Sequence, residues 1–184
     1  MKTIKFVSFI IIGLVFIGCS QSKDKMVKEI TEMEKPFFSN SPVSDTVKIN
    51  DMVALYKKFA DTYSKDSLAP VYLYRAASLQ MNRQKNEDAI ALLDIIIKDH
   101  NSFIKLPETY FLKAFIYDNN IKNLTKAREA YTVFLQKFPE SDLADDAQIS
   151  INNLGKTPEQ IINEIQLKQK QQADSATAAA EKKK

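Results

Sequence analysis

The chain has 184 residues, 45% of them hydrophobic, and its 26 lysines and arginines face 23 aspartates and glutamates for a formal net charge of +3. That length suits one domain with appendages, the near balance of charge gives no field to gather a nucleic acid, and one Cys with one His leaves no disulfide, no Cys/His zinc cluster and few nucleophilic triads. Of three glycines only Gly155 lies beyond residue 18, which excludes a glycine-rich phosphate loop and a hairpin-rich β fold.

Met1 to Ser20 reads MKTIKFVSFIIIGLVFIGCS, with two lysines, an apolar run from Phe6 to Ile17, and then Gly18-Cys19. About a dozen apolar residues are too few for a bilayer-spanning helix, which needs ~20, and suit the core of a secretory signal. Phe16-Ile17-Gly18-Cys19 resembles the lipobox of bacterial lipoproteins, with Phe16 standing where that family usually has Leu. The resemblance implies removal of residues 1–18 as a signal peptide, transfer of diacylglycerol to the Cys19 thiol, and acylation of the new amine. It further implies contact with a lipid bilayer through acylated Cys19. Ser20, rather than Asp, after the Cys implies an outer-membrane location in the cell envelope, with the periplasmic face expected. Several acyl chains make such an anchor stable. Residues 19–45 then read as a lipidated tether and linker, within which 26–34 can form one short helix and 36–44 (PFFSNSPVS) is a loop.

From Thr46 onward the periodicity is helical, and it predicts helices over 46–63, 68–82, 86–99, 106–119, 123–138 and 142–154. The chain also resembles itself. A shift of 75 lays Leu55-Tyr56-Lys57-Lys58-Phe59 on Ala130-Tyr131-Thr132-Val133-Phe134, and a shift of 37 to 38 lays Ala77 on Ala114 and Ala89 on Ala127. Ala89, Leu92, Leu93, Ile96 and Ile97 form one apolar stripe, repeated a unit later by Ala127, Ala130, Tyr131, Phe134, Leu135 and Phe138. Pro139 ends a helix because it cannot continue the hydrogen-bond ladder. Gly155 suits a left-handed helix end, and Thr157-Pro158-Glu159-Gln160 a new start, with Thr157 capping and Gln160 reaching back. The helix over 157–172 is expected to cap the array, with Ile161, Ile162, Ile165 and Leu167 facing inward. Residues 173–184 are low in complexity and read as a disordered tail. The fold class is all-α: a short α-solenoid of helix pairs over 46–172.

These residues resemble tetratricopeptide repeats. The third unit matches that family best, through Ala114, Ala127, Tyr131, Phe134 and Pro139. The second keeps Ala77 and Ala89, the first has only its second helix (Tyr56, Phe59), and the last has Asn152 where Ala is expected. The resemblance implies a concave groove, lined by the first helix of each pair, that holds an envelope protein or peptide segment. Carried over by motif, the groove presents Tyr74, Ser78 and Met81, then Phe111, Phe115 and Asp118, then Ile149 and Asn153.

Chemistry has no comparable signal. His100, after Lys98-Asp99 at a helix end, reads as a cap favoured by the helix dipole, and Asp142, Asp145 and Asp146 as acids favoured at a helix start. Glu32, Glu34, Glu87 and Asp88 have no partner at a spacing that defines a hydrolytic or metal site, and no nucleophile-elbow or zinc-helix motif occurs. The expectation is therefore a membrane-tethered adaptor with a protein partner, no catalytic residue, no metal, no cofactor and no nucleic acid. One version resembles the lipoprotein subunit of the outer-membrane β-barrel assembly machinery. The competing class, an enzyme or a peptidoglycan- or sugar-binding module, would need a polar, aromatic-lined cleft or clustered acids.

Overall fold

A computed structural model describes residues 22–38 and 45–181, leaving Cys19, the signal segment, positions 39–44 and the last three residues outside the described part. Eight α-helices follow one another there, and consecutive members of the first seven pack on each other. The first, α1 (Lys23–Glu34), places Met26 and Ile30 four residues apart, so both fall on one face and both are buried. A 3₁₀ turn over Lys35–Phe38 follows. Asp45 then caps α2 (Thr46–Thr62), its Oδ1 accepting from the Val47 amide at 2.9 Å. Next come α3 (Leu68–Asn82) and α4 (Asn86–Asp99), with the bounds that periodicity predicts.

The first core joins α1 to α4. Ala69, Ala76 and Ala77 are fully buried on α3, and these small side chains let α2 and α4 approach it from both sides. Phe59 and Tyr72 meet edge-to-face at 4.8 Å, and Tyr56 stacks on Tyr72 at 5.4 Å. The second core joins α5 (Leu106–Phe115), α6 (Leu124–Lys137) and α7 (Ala144–Asn153) around Ala114, Tyr131, Phe134 and Ala147.

Four departures from the sequence reading matter. The expected tether over 19–45 holds α1 from Lys23, packed in the first core, so the first unit has both of its helices. The helix expected over 106–119 is regular only to Phe115, and Ile116–Asn120 forms a π turn. The last helix, α8 (Pro158–Glu181), runs beyond 172 into the expected disordered tail, because Ala173 to Glu181 has five alanines, no glycine and no proline. Its start is as expected: Gln160 N donates to Thr157 Oγ1 at 3.3 Å, and Thr157 N to Gln160 Oε1 at 2.8 Å. Its apolar side is not as expected, since Ile162, Ile165 and Leu167 are exposed. Among the described residues no helix is long and apolar enough to cross a membrane.

Candidate partner-binding cleft

The turns on either side of α6 and α7 shape a cleft. At Ile116 the helix widens: the Ile121 amide donates to Ile116 O at 3.0 Å, an i to i+5 bond, and Asn123 N to Tyr117 O at 2.8 Å. Lys122 then takes φ +61, and Asn123 caps α6 by accepting from the Lys126 amide at 3.0 Å. After α7, Gly155 takes φ +78 and lies so close to α6 that a Cβ there would sit 2.9 Å from Leu124 Cδ1. The positive φ is what favours glycine there, since the Leu124 methyl ends a flexible, partly exposed side chain that can give way.

Between α5, its π turn, α7 and the start of α8 these turns leave a cleft of about 650 Å³. Five of the eight residues expected in a groove line it: Phe111, Phe115, Asp118, Ile149 and Asn153. Phe115 is 37% exposed and Ile149 56%, so both offer apolar surface to an incoming group. Phe111 is half-engaged, its ring edge-to-face with Tyr131 at 5.6 Å and with Phe134 at 5.7 Å.

The three candidates on α3 are not brought to this cleft. Tyr74 is half-buried, with its ring 6.2 Å from Phe103 and Lys105 Nζ 5.8 Å above it. Ser78 Oγ donates to Tyr74 O at 3.0 Å, and Met81 packs against the first core. The aromatic wall expected from Tyr74 through Phe115 is thus interrupted at its first member.

The polar groups of the cleft are unevenly satisfied. Lys156 Nζ is paired with Glu164 at 2.6 Å, and this hydrogen bond holds the Glu164 carboxyl below its usual range. Among the described residues, the carboxylates of Asp118 and Asp146 have no hydrogen bond or ion pair. Burial pushes the Asp118 carboxyl up, and Lys122 opposes the shift. Tyr131 is fully buried and its hydroxyl has no hydrogen bond of good geometry. The groups acting on that phenol are Ser150 and Asp118, both on the cleft wall, and burial raises its pKa above the usual phenol value.

Sequence reasoning missed Lys122, Leu124, Asp146, Ser150 and Ile161 in this wall. Asp146, Ile149, Ser150 and Asn153 share one helix face by their three- and four-residue spacing, so that part was available to a periodicity argument. Lys122, Leu124 and Ile161 arrive through the π turn and the Gly155 turn, which periodicity does not register. A smaller cleft of about 300 Å³ lies beside α4 and α6, but its lysines are engaged: Lys113 with Asp94 at 2.6 Å, and Lys126 over the Tyr117 ring at 5.3 Å. His100 ends α4, its amide donating to Ile96 O at 2.9 Å. Among the described residues no three His, Cys, Asp or Glu side chains are grouped to hold a metal ion.

The helix pairs and the cleft between them define an all-α helical-repeat solenoid. Residues 72–100 and 108–141 match the tetratricopeptide-repeat family, one stretch running from α3 through α4 and the other from α5 through α6. Over these two stretches the chain is similar to tetratricopeptide repeats, and repeats of that kind act as scaffolds for protein–protein interaction, typically without catalysis. No curated protein and no solved structure matches the chain.

Proposed function

We propose that the protein is a lipid-anchored adaptor of the bacterial cell envelope that holds a segment of a partner protein in the cleft between α5, α7 and α8. The observation that carries this reading is the composition of the cleft, where open Phe115 and Ile149 stand beside the part-buried carboxylate of Asp118, which Lys122 offsets without an ion pair, and the exposed carboxylate of Asp146. Covering the two apolar side chains gains ~25 cal/mol per Å² removed from water. A partly desolvated carboxylate is costly until a cation meets it. The fitting segment therefore carries a large apolar side chain next to a Lys or Arg.

The anchor in this reading is acylated Cys19, supported by the signal-like run before it and the lipobox-like Gly18-Cys19. An outer-membrane location with the solenoid on the periplasmic side follows from Ser20. A narrower version makes the protein a subunit of the β-barrel assembly machinery.

Cells labelled with a fatty acid test the anchor: the native chain takes up label and Cys19→Ser does not. Label retained by the Ser variant rules the anchor out. Mild cross-linking before detergent extraction tests the adaptor role, with a stoichiometric envelope protein expected on the native chain. Recovery of the barrel subunit would select the narrower version, and recovery of no protein would sink the adaptor reading.

A further inference from the structure

The start of α1 limits how far the solenoid can stand from its anchor. Met26 and Ile30 are buried in the first core, Lys23 Nζ pairs with Asp66 at 3.0 Å, and Glu34 accepts from Tyr56 Oη at 2.6 Å and from Arg75. No slack is left after Ser22. Three residues separate Cys19 from Lys23, a reach of ~14 Å even at full extension.

The Lys23–Asp66 pair sets the start of α1 beside the loop joining α2 to α3. That loop shares a cleft with the loop joining α4 to α5, where Lys65, Asp66 and Ser67 face His100, Phe103 and Ile104. Ile104 is 87% exposed, more than any other large apolar side chain described. A single exposed isoleucine is ordinary on a protein surface. What distinguishes this one is its edge of the molecule, the edge from which the anchor leaves, and its exposed neighbours Lys65 and Lys105, of which Lys105 also lies over the Tyr74 ring. On its other side Ile104 borders a second cleft whose wall carries Glu108, Glu140 and Asp142 with Lys137, so an anionic surface can be met only from the side of Lys65 and Lys105, away from those acids.

We infer that the loop of residues 100–105 is a second membrane contact, in which Ile104 enters the acyl boundary of the bilayer that holds Cys19 while Lys65 and Lys105 lie among the lipid phosphates. This rests on the proposed acylation of Cys19. An apolar side chain flanked by lysines is suited to the interface, with its carbon in the acyl layer and the cations among the headgroups. Two attachment points also stop the solenoid from turning freely about its tether.

The test uses the full-length acylated protein in vesicles of phosphatidylethanolamine and phosphatidylglycerol. Cys19 is the sole native Cys, and its sulfur is consumed by the lipid, so a new Cys is the only thiol to label. Ile104→Cys is compared with Val47→Cys, which is 65% exposed but starts α2 at the opposite edge, about 24 Å away along that helix. With a fluorophore on each, lipids brominated on their acyl chains should quench position 104 roughly two-fold or more and leave position 47 almost unchanged. Equal quenching at the two positions overturns the membrane contact. The mass spectrum of the same sample separates the two failures: acylated Cys19 with an unquenched label at 104 overturns this inference alone, whereas unacylated Cys19 overturns both it and the anchor.

Discussion

At the scale of single residues, Tyr131 and Tyr56 make opposite cases of a buried phenol. Tyr131 keeps its ring against Phe111 while its hydroxyl is buried without a good hydrogen bond. Tyr131→Phe should therefore leave stability unchanged or raise it by up to ~1 kcal/mol in a denaturant melt. Tyr56 Oη donates to Glu34, so Tyr56→Phe should cost ~1 kcal/mol in the same melt. Burial is also the main reason that Tyr56, Tyr72, Tyr74 and Tyr131 titrate above the usual phenol value of 10.0. A phenol whose folded pKa is raised keeps its proton in the native chain after the unfolded chain has lost it. Stability is thus whole below about pH 10 and falls as pH rises beyond it. The phenolate absorbance should rise late, for four of the seven tyrosines, in step with loss of helix. Phenols that all ionise near pH 10 with the helices intact would contradict their burial.

At the scale of elements, the two ends of the array behave oppositely to what their sequences suggest. Met26 and Ile30 of α1 are as buried as Ile96 of α4 and Phe134 of α6. Truncating Ile30, Ile96 or Phe134 to Ala should each cost ~2–5 kcal/mol by lost transfer energy and a residual cavity. Ile165→Ser on α8 should change stability by less than ~0.5 kcal/mol, because that side chain is half exposed and outside both buried cores. Chemical denaturation of the four variants checks the order, and a large loss from Ile165→Ser would mean that α8 is seated. The sequence reading had α8 as the buried cap and α1 as part of a tether for a common reason. The spacing of Ile161, Ile162 and Ile165 reports that a helix has an apolar side, not that the chain supplies something to cover it. For α1, the apolar positions are few and the link to α2 is longer than the other turns, so the family pattern does not extend to it.

At the scale of the whole molecule, the residues expected to line one groove wall fall in two separate regions. Phe115 and Ile149 are open in the cleft, whereas Phe111 is shared with the second core. Phe115→Ala with Ile149→Ala should leave circular dichroism and melting near native while weakening partner capture by more than ~2 kcal/mol, the scale of an interface hot spot. Phe111→Ala should lose stability by about 2–3 kcal/mol, less than a fully buried Phe, since it empties space between Tyr131 and Phe134 but already borders the cleft. Tyr74→Ala should leave capture unchanged, because its ring lies against Phe103. A Phe115/Ile149 variant that folds and still holds its partner would put binding on another face.

The amino-acid order alone was enough for the helix bounds of α3 and α4, the Thr157–Gln160 capping box, the left-handed turn at Gly155 and the repeat that gives the fold class. The stripes, caps and turns are local, settled by groups within about four residues, so spacing records them, and the repeat is the same local pattern recurring along the chain. Four of the groove candidates come to one cleft for the same reason, since α5 carries Phe111 and Phe115 and α7 carries Ile149 and Asn153 each on one helix face, while Asp118 reaches it from the π turn. What only the packed chain decided depends on groups far apart in sequence. The seating of α1 rests on Glu34 meeting Arg75 and Tyr56, and on Lys23 meeting Asp66. The engagement of Tyr74 by Phe103, the exposure of Ile165 and the closing of the cleft by Leu124 against Gly155 likewise turn on how neighbouring helices are placed. Loop lengths, a π turn and the fit of side chains between helices set that placement, and a helical period in the sequence carries no information about any of them.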